Sequence, residues 1–355
     1  MASIAALTPE EIAQLTSRQL AALAAADWAE LTAEQIAALT QEQVESLKAA
    51  TIKRMGDRVA MLERDDLQVL GSGAISGLST QQLQSFSVEQ MGQLLPEQIA
   101  GLKGAQLRAL GLEQVAAFNE EQVAAIRGKE LKLMSAEQLQ QFSPTELATL
   151  GSLAIRNLTA AQVRGLDADQ IRGFTGEQLG YFSSAQSAGL SSTHINGLSA
   201  ESLQSLSTGA VRGLSRSTVA AMEAEQIQQL APQQVGALQT QQIRAMGDAG
   251  FDALSFGQLS AMNSSQLRGL STSQVQTLTA EEFAQFQPRA VSGLTAPQLG
   301  ALLPEKLQEF GAEQMALFNS AQVVRLSTLQ LNALTPEALQ GLQTAKPPGP
   351  GIDDS

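Results

Sequence analysis

The sequence predicts an all-α fold, an elongated α-solenoid or superhelix of very short capped helices, one per eight-residue repeat. Three observations carry this. From Leu7 a large apolar residue stands at every eighth position, through Leu15, Leu23, Leu31, Leu39, Leu47 and Met55 and, after one lost residue, from Leu62, Leu70, Leu78 and Phe86 to Leu342. A second apolar residue sits three places before each of these, from Ile12, Leu20, Trp28 and Ile36 to Leu339, broken only at Ser187. Each unit also carries its own helix-start signal. Forty-two such units run almost the whole length of the 355 residues, and fixed-period self-similarity of this kind is the signature of a solenoid or array.

The octad explains itself position by position. In Leu7-Thr8-Pro9-Glu10-Glu11-Ile12-Ala13-Gln14-Leu15, Thr8 is a favoured N-cap, and Pro9 takes N1, where a missing N–H costs nothing. Glu11 at N3 is placed to bond back to the cap amide, which completes a capping box. Leu7 at N′ and Ile12 at N4 form a hydrophobic staple, so the core columns also set the angle at which the chain enters each helix. The same grammar recurs in LTAEQIAAL at 31–39, LTAAQVRGL at 158–166, LSTSQVQTL at 270–278 and LTPEALQGL at 334–342, and Pro144, Pro232, Pro304 and Pro336 repeat the N1 proline.

One continuous helix is excluded by geometry. Eight residues advance about 800°, roughly 80° past two full turns, so an apolar stripe would spiral around the rod. A β-solenoid is excluded because apolar spacings of three and five do not match a period of two. Short helices joined by tight bends remain, two or three to a coil. Two buried side chains cannot offset the ordering of eight residues, so one octad folds only in a stack that shares faces.

Two further columns stand out. Gln fills N3 at Gln19, Gln35, Gln43, Gln82, Gln90, Gln98, Gln106, Gln114 and Gln122 and on to Gln330, with Glu at Glu11, Glu130, Glu146 and Glu282. Glu and Gln interchange in a capping box, so capping is the first reading; a ladder of amides bonded along the stack is the second. Small residues precede the last apolar column, including Gly77, Gly101, Gly165, Gly173, Gly197, Gly213, Gly269, Gly293 and Gly341, where close approach of neighbouring helices or a relaxed helix end is expected.

Composition bounds the function. No composition shift divides the chain, so residues 1–345 read as a single octapeptide-repeat solenoid with a register slip at 56–62, and 346–355 as a disordered Pro/Gly tail. A formal charge of −13 argues against binding nucleic acid by phosphate neutralisation. No window has the apolar length of a membrane span, and the opening MASIAALTPEE has no Sec signal peptide, which leaves the cytoplasm or a signal-peptide-independent bacterial export route. Cysteine is absent, which removes thiol chemistry and disulfides.

No catalytic, cofactor-binding or metal-binding set is expected. His194, the single histidine, stands in the Gln column and reads as a variant cap partner. Acidic pairs such as Glu10/Glu11, Asp65/Asp66, Glu120/Glu121 and Glu281/Glu282 lie in first turns, where the helix dipole favours negative charge. The candidate protein-docking residues are Lys48, Lys53, Arg54, Arg58 and Arg64, a basic stretch at the register slip; Arg127, Lys129 and Lys132 form a weaker cluster. The expected function is a non-enzymatic repeat scaffold or spacer for protein interaction or assembly. The alternative is a specific protein-binding module or secreted bacterial effector docking through 48–66. Partners are a protein or a second copy associating through the solenoid ends, where Ile4 and Leu7, or Leu339 and Leu342, have no polar capping unit.

The octads resemble the tandem LTxxQ(V/I)xxL arrays of large proteobacterial proteins described as exoproteins or adhesin-like, over residues 4–342. That resemblance implies a bacterial, exported structural or interaction role and carries no functional residues. LTPEEIAQL at 7–15 is also similar to the opening of TAL-effector repeats, but a period of eight and a negative charge set this chain apart from their repeat of about 34 residues.

Overall fold

A computed structural model describes residues 4–344; the expected tail at 346–355 lies outside the described residues. Among them the chain is all-helical. Forty-one short α-helices and two 3-10 helices, at Ile4–Ala6 and Gly56–Met61, follow one another in tandem with no strand. The helices run four to seven residues until the last, Pro336–Thr344. The chain divides into two compact units, Met1–Tyr181 and Phe182–Ser355, although no change of composition marks the division.

The expected start signals are in place. Thr8 accepts the Glu11 amide at 3.2 Å while the Glu11 carboxylate accepts the Thr8 amide at 2.8 Å, and the reciprocal pair recurs through Ser79/Gln82, Asn119/Gln122 and Ser271/Gln274. Both apolar columns form the core: Ile36, Val44, Leu67, Val115, Val211 and Leu299 are fully buried in one, and Leu31, Leu70, Phe142, Leu230 and Phe310 are buried in the other. Ser187 is fully buried too, with its hydroxyl unpartnered.

Stacking shows how many units make a coil, and it corrects the expected two or three. Within each unit a helix packs against the third one after it, as Ser72–Ile75 does with Pro96–Gly101 in the first and Thr208–Gly213 with Pro232–Ala237 in the second. The glutamine bonds described below reach the fourth unit back. A turn therefore takes between three and four octads within each compact unit. This follows from the octad itself: a helix of four to seven residues covers only a short length of the coil before the chain bends at the next cap, so more of them are needed to close a turn around two apolar columns.

The glycine expectation holds at close contacts. A Cβ at Gly101 would meet Ser72 and one at Gly173 would meet Pro144 in the first unit; one at Gly213 would collide with the Ser184 backbone and one at Gly293 with that of Ser264 in the second. The residue before the last column thus lies against the first turn of a helix in the preceding coil, and only a missing side chain allows that distance. At the outermost described coils the layers are less covered. Leu7, Leu15 and Leu23 are half-buried at one end, Val323 and Leu331 at the other, and Leu339 is exposed.

Candidate functional site

The N3 glutamines are where the polar chemistry of the chain is concentrated. They perform both expected tasks with one side chain, although the ladder runs to backbone carbonyls and not from amide to amide. Gln98 accepts the Leu95 N–H on Oε1 at 2.8 Å, while its Nε2 donates to the carbonyls of Leu67 at 2.6 Å and Leu70 at 2.7 Å. Gln122 repeats this with the Asn119 N–H at 2.9 Å and the Met91 and Leu94 carbonyls at 3.1 and 2.6 Å. Gln266 does so in the second unit with Asn263, Val235 and Leu238. Each of these three amides therefore satisfies an orphan N–H at the start of its own helix and two orphan carbonyls at the end of a helix one coil back. Gln122 is wholly buried, and with all three bonds made that burial carries no desolvation debt.

Where N3 is not Gln, another donor reaches back or none does. The Thr218 hydroxyl donates to the Leu190 carbonyl at 2.9 Å, and Lys306 Nζ donates to the Gln276 carbonyl. Burial holds the Lys306 ammonium below the usual lysine range. At Glu130 a carboxyl oxygen replaces the amide NH2. Glu130 is buried, its Oε2 is unpartnered, and Arg127 pairs with its Oε1 at 3.1 Å while reaching the Leu102 carbonyl at 3.4 Å. The cluster of Arg127 and Lys129 thus serves Glu130, with Lys129 at 3.8 Å, and Lys132 stands apart in the open. His194 is a cap partner as expected, its Nδ1 accepting the Ser191 N–H at 3.1 Å.

Three first-turn carboxylates depart from their ordinary values. Glu10 and Glu137 are held below the usual range by backbone N–H bonds and by the hydroxyls of Thr8 and Ser135. Asp66 behaves oppositely: burial, then the charge of Glu63, pushes its carboxyl up. It stands at N3, where a glutamine belongs, so desolvation outweighs the helix dipole there.

The basic stretch at the register slip is partly drawn inward. Lys48, Lys53 and Arg64 are exposed, while Arg54 and Arg58 are half-buried. Arg54 Nη2 donates to the Ala21 carbonyl and Arg58 Nη2 to the Ala29 carbonyl, each at 2.6 Å. Lys53, Arg54 and Arg58 line one groove; Lys48 and Arg64 do not. Gly56, at φ +55°, makes the bend, and its carbonyl accepts from Gln82 Nε2 at 2.9 Å.

A second set of bonds was not visible in the sequence. At the residue after the buried N4 position, Gln68, Gln84, Gln204 and Gln276 each donate forward by 25 residues, to the carbonyls of Gln93, Ala109, Gln229 and Ala301 at 2.9 to 3.1 Å. Ala, Gly and Arg occupy the same position in other units, so no column marks it.

A family model, the ALTTAQ repeat, matches residues 59–95. Its name, read as residues, parallels Gly77-Leu78-Ser79-Thr80-Gln81-Gln82 within that segment, from the small residue through the apolar column and cap to the bridging glutamine. No curated protein matches the chain. Among the described residues no helix is long and apolar enough to cross a membrane. The match identifies a repeat protein, and the stacked capped helices give that repeat its physical form.

Proposed function

We propose that the chain is a non-enzymatic repeat scaffold or spacer, presenting a regular surface for protein interaction or assembly. The observation that carries this reading is the fate of its polar side chains. The amide at N3 and the hydroxyl at the cap, the groups a binding or catalytic site would draw on, are bound unit after unit to the backbone of the same chain. The resemblance to arrays in proteobacterial exoproteins supports a structural or interaction role of the same kind, and a protein partner or a second copy is the expected associate.

Deletion of whole octads tests it. Removing residues 159–166 should leave the helical circular dichroism and the set of proteins captured from the native host unchanged, as should a second octad removed elsewhere. Removing four residues should lower helicity, because both apolar columns then change sides. Capture lost only when 48–66 is altered would replace the scaffold by a specific docking module, and turnover in a broad activity screen would overturn the non-enzymatic reading.

A further inference from the structure

In the groove at the register slip three cations meet, none of them in an ion pair among the described residues. The groove has a volume of about 490 Å³, and Lys53, Arg54, Gly56, Asp57, Arg58 and Gln82 are on its wall. Each guanidinium is fixed by its bond to a carbonyl of the preceding coil, so little freedom is left to lose when something binds. The Nε–H of each is buried and unpartnered, so the desolvation of the two cations is only partly offset by their carbonyl bonds.

We propose that this groove is an anion-binding site for carboxylates of an acidic segment of a protein partner. A carboxylate entering it supplies acceptor oxygens and a countercharge to guanidinium groups already held in place. Asp57, on the same wall, favours a singly charged carboxylate over a doubly charged phosphate, which it repels more strongly. Against a net charge of −13 this groove is a local patch of opposite sign, which acts on an acidic segment at short range. Binding in this groove would favour a docking module over a plain spacer, and its absence would leave the scaffold reading standing.

The test is isothermal titration of the full chain with a short poly-glutamate peptide at low ionic strength. Saturable binding that weakens with added salt is expected. Arg58→Gln gives up the bond to the Ala29 carbonyl but also removes a half-buried cation, so the double variant Lys53→Gln, Arg58→Gln should melt close to the parent and bind about tenfold more weakly. Should the double variant fold poorly, Lys53→Gln alone, at an exposed position, should still weaken binding several-fold. Absence of saturable binding, unchanged affinity in the folded variants, or saturation by inorganic phosphate and not by the peptide would each overturn the proposal.

Discussion

Two stretches of the molecule lack the N3 glutamine in four consecutive units: Thr51, Arg58, Asp66 and Ala74 in the first compact unit, and His194, Ser202, Ala210 and Thr218 in the second. Only the first loses a residue. In two units of the second, a short hydroxyl takes one of the amide's acceptors: Thr218 bonds the Leu190 carbonyl, and Ser207, the cap before Ala210, reaches the Phe182 carbonyl at 3.4 Å. A glutamine at 218 or 210 would use those same carbonyls, 28 residues back. In the first stretch long arginines take carbonyls two residues upstream of the regular ones, Ala21 and Ala29 in place of Leu23 and Leu31. The next glutamine, Gln82, then bonds Ile52 and Gly56 at spacings of 30 and 26 residues, not 31 and 28. Register therefore goes with which carbonyl accepts, more than with whether glutamine is present.

The sharpest way to break this comparison is to remove the donor and keep everything else. Gln122→Glu preserves the acceptor that holds the Asn119 amide but turns two donated bonds into a buried charge facing the Met91 and Leu94 carbonyls. A loss of about 3–5 kcal/mol is expected, measured by urea unfolding, with amide exchange accelerated in 88–126. A loss below about 1 kcal/mol would mean that the inter-coil bonds contribute little and that capping is the main role. The reverse exchange, Glu130→Gln, should add about 1–3 kcal/mol by removing an unpartnered buried oxygen and restoring donors toward the preceding coil. Destabilisation there would show that the Arg127 pair is worth more than the bridge it replaces.

How much of this was legible in the sequence depends on whether a role repeats at fixed spacing. The two apolar columns, the cap, the N1 proline and the small residue before the last column were legible because each recurs every eight residues, and Gly101 and Gly213 are crowded in the structure for the reason their position implies. The glutamine column was legible as a column, but its second set of bonds was not. Acceptors 28 and 31 residues away can be assigned only when the number of units per turn is known, and the octad pattern is compatible with several. The forward bonds from Gln68 and Gln204 were hidden for a different reason, since their position is filled irregularly. At the slip, charge alone grouped Lys48 and Arg64 with Arg54 and Arg58; the side chains divide because only the arginines are placed to reach carbonyls of the coil before them.

Asp66 sharpens the first stretch through its pH dependence. Its carboxyl is pushed above the ordinary value of 3.8 by burial and by Glu63, so folding favours its protonated form. The stability tied to that proton is present below the ordinary value and is lost as pH rises through the raised one. Asp66→Asn removes the charge at every pH. It should therefore stabilise the chain by on the order of 1 kcal/mol at neutral pH, with the advantage shrinking as pH falls through the acidic range. Thermal melts of both proteins across pH 3 to 7 decide it, and an advantage that grows toward low pH would reverse the assignment.

The smallest expected effect distinguishes the two stretches directly. Thr218→Gln should keep the bond to the Leu190 carbonyl, add one to the carbonyl 31 residues back, at Ser187, and accept the Ser215 amide. The register there is regular, so both acceptors stand where a glutamine expects them. The gain is limited because Thr218 already makes one of these bonds and a buried glutamine loses more rotamer freedom than threonine, so about 0.5–1 kcal/mol is expected. Arg58→Gln in the slipped stretch should gain close to nothing, because the carbonyls it would need are displaced by the lost residue and the bond to Ala29 goes with the arginine. Parallel urea melts of the two variants test the contrast. Equal gains would mean that the missing residue does not move the acceptors, and the slip would then need a cause other than the geometry of its donors.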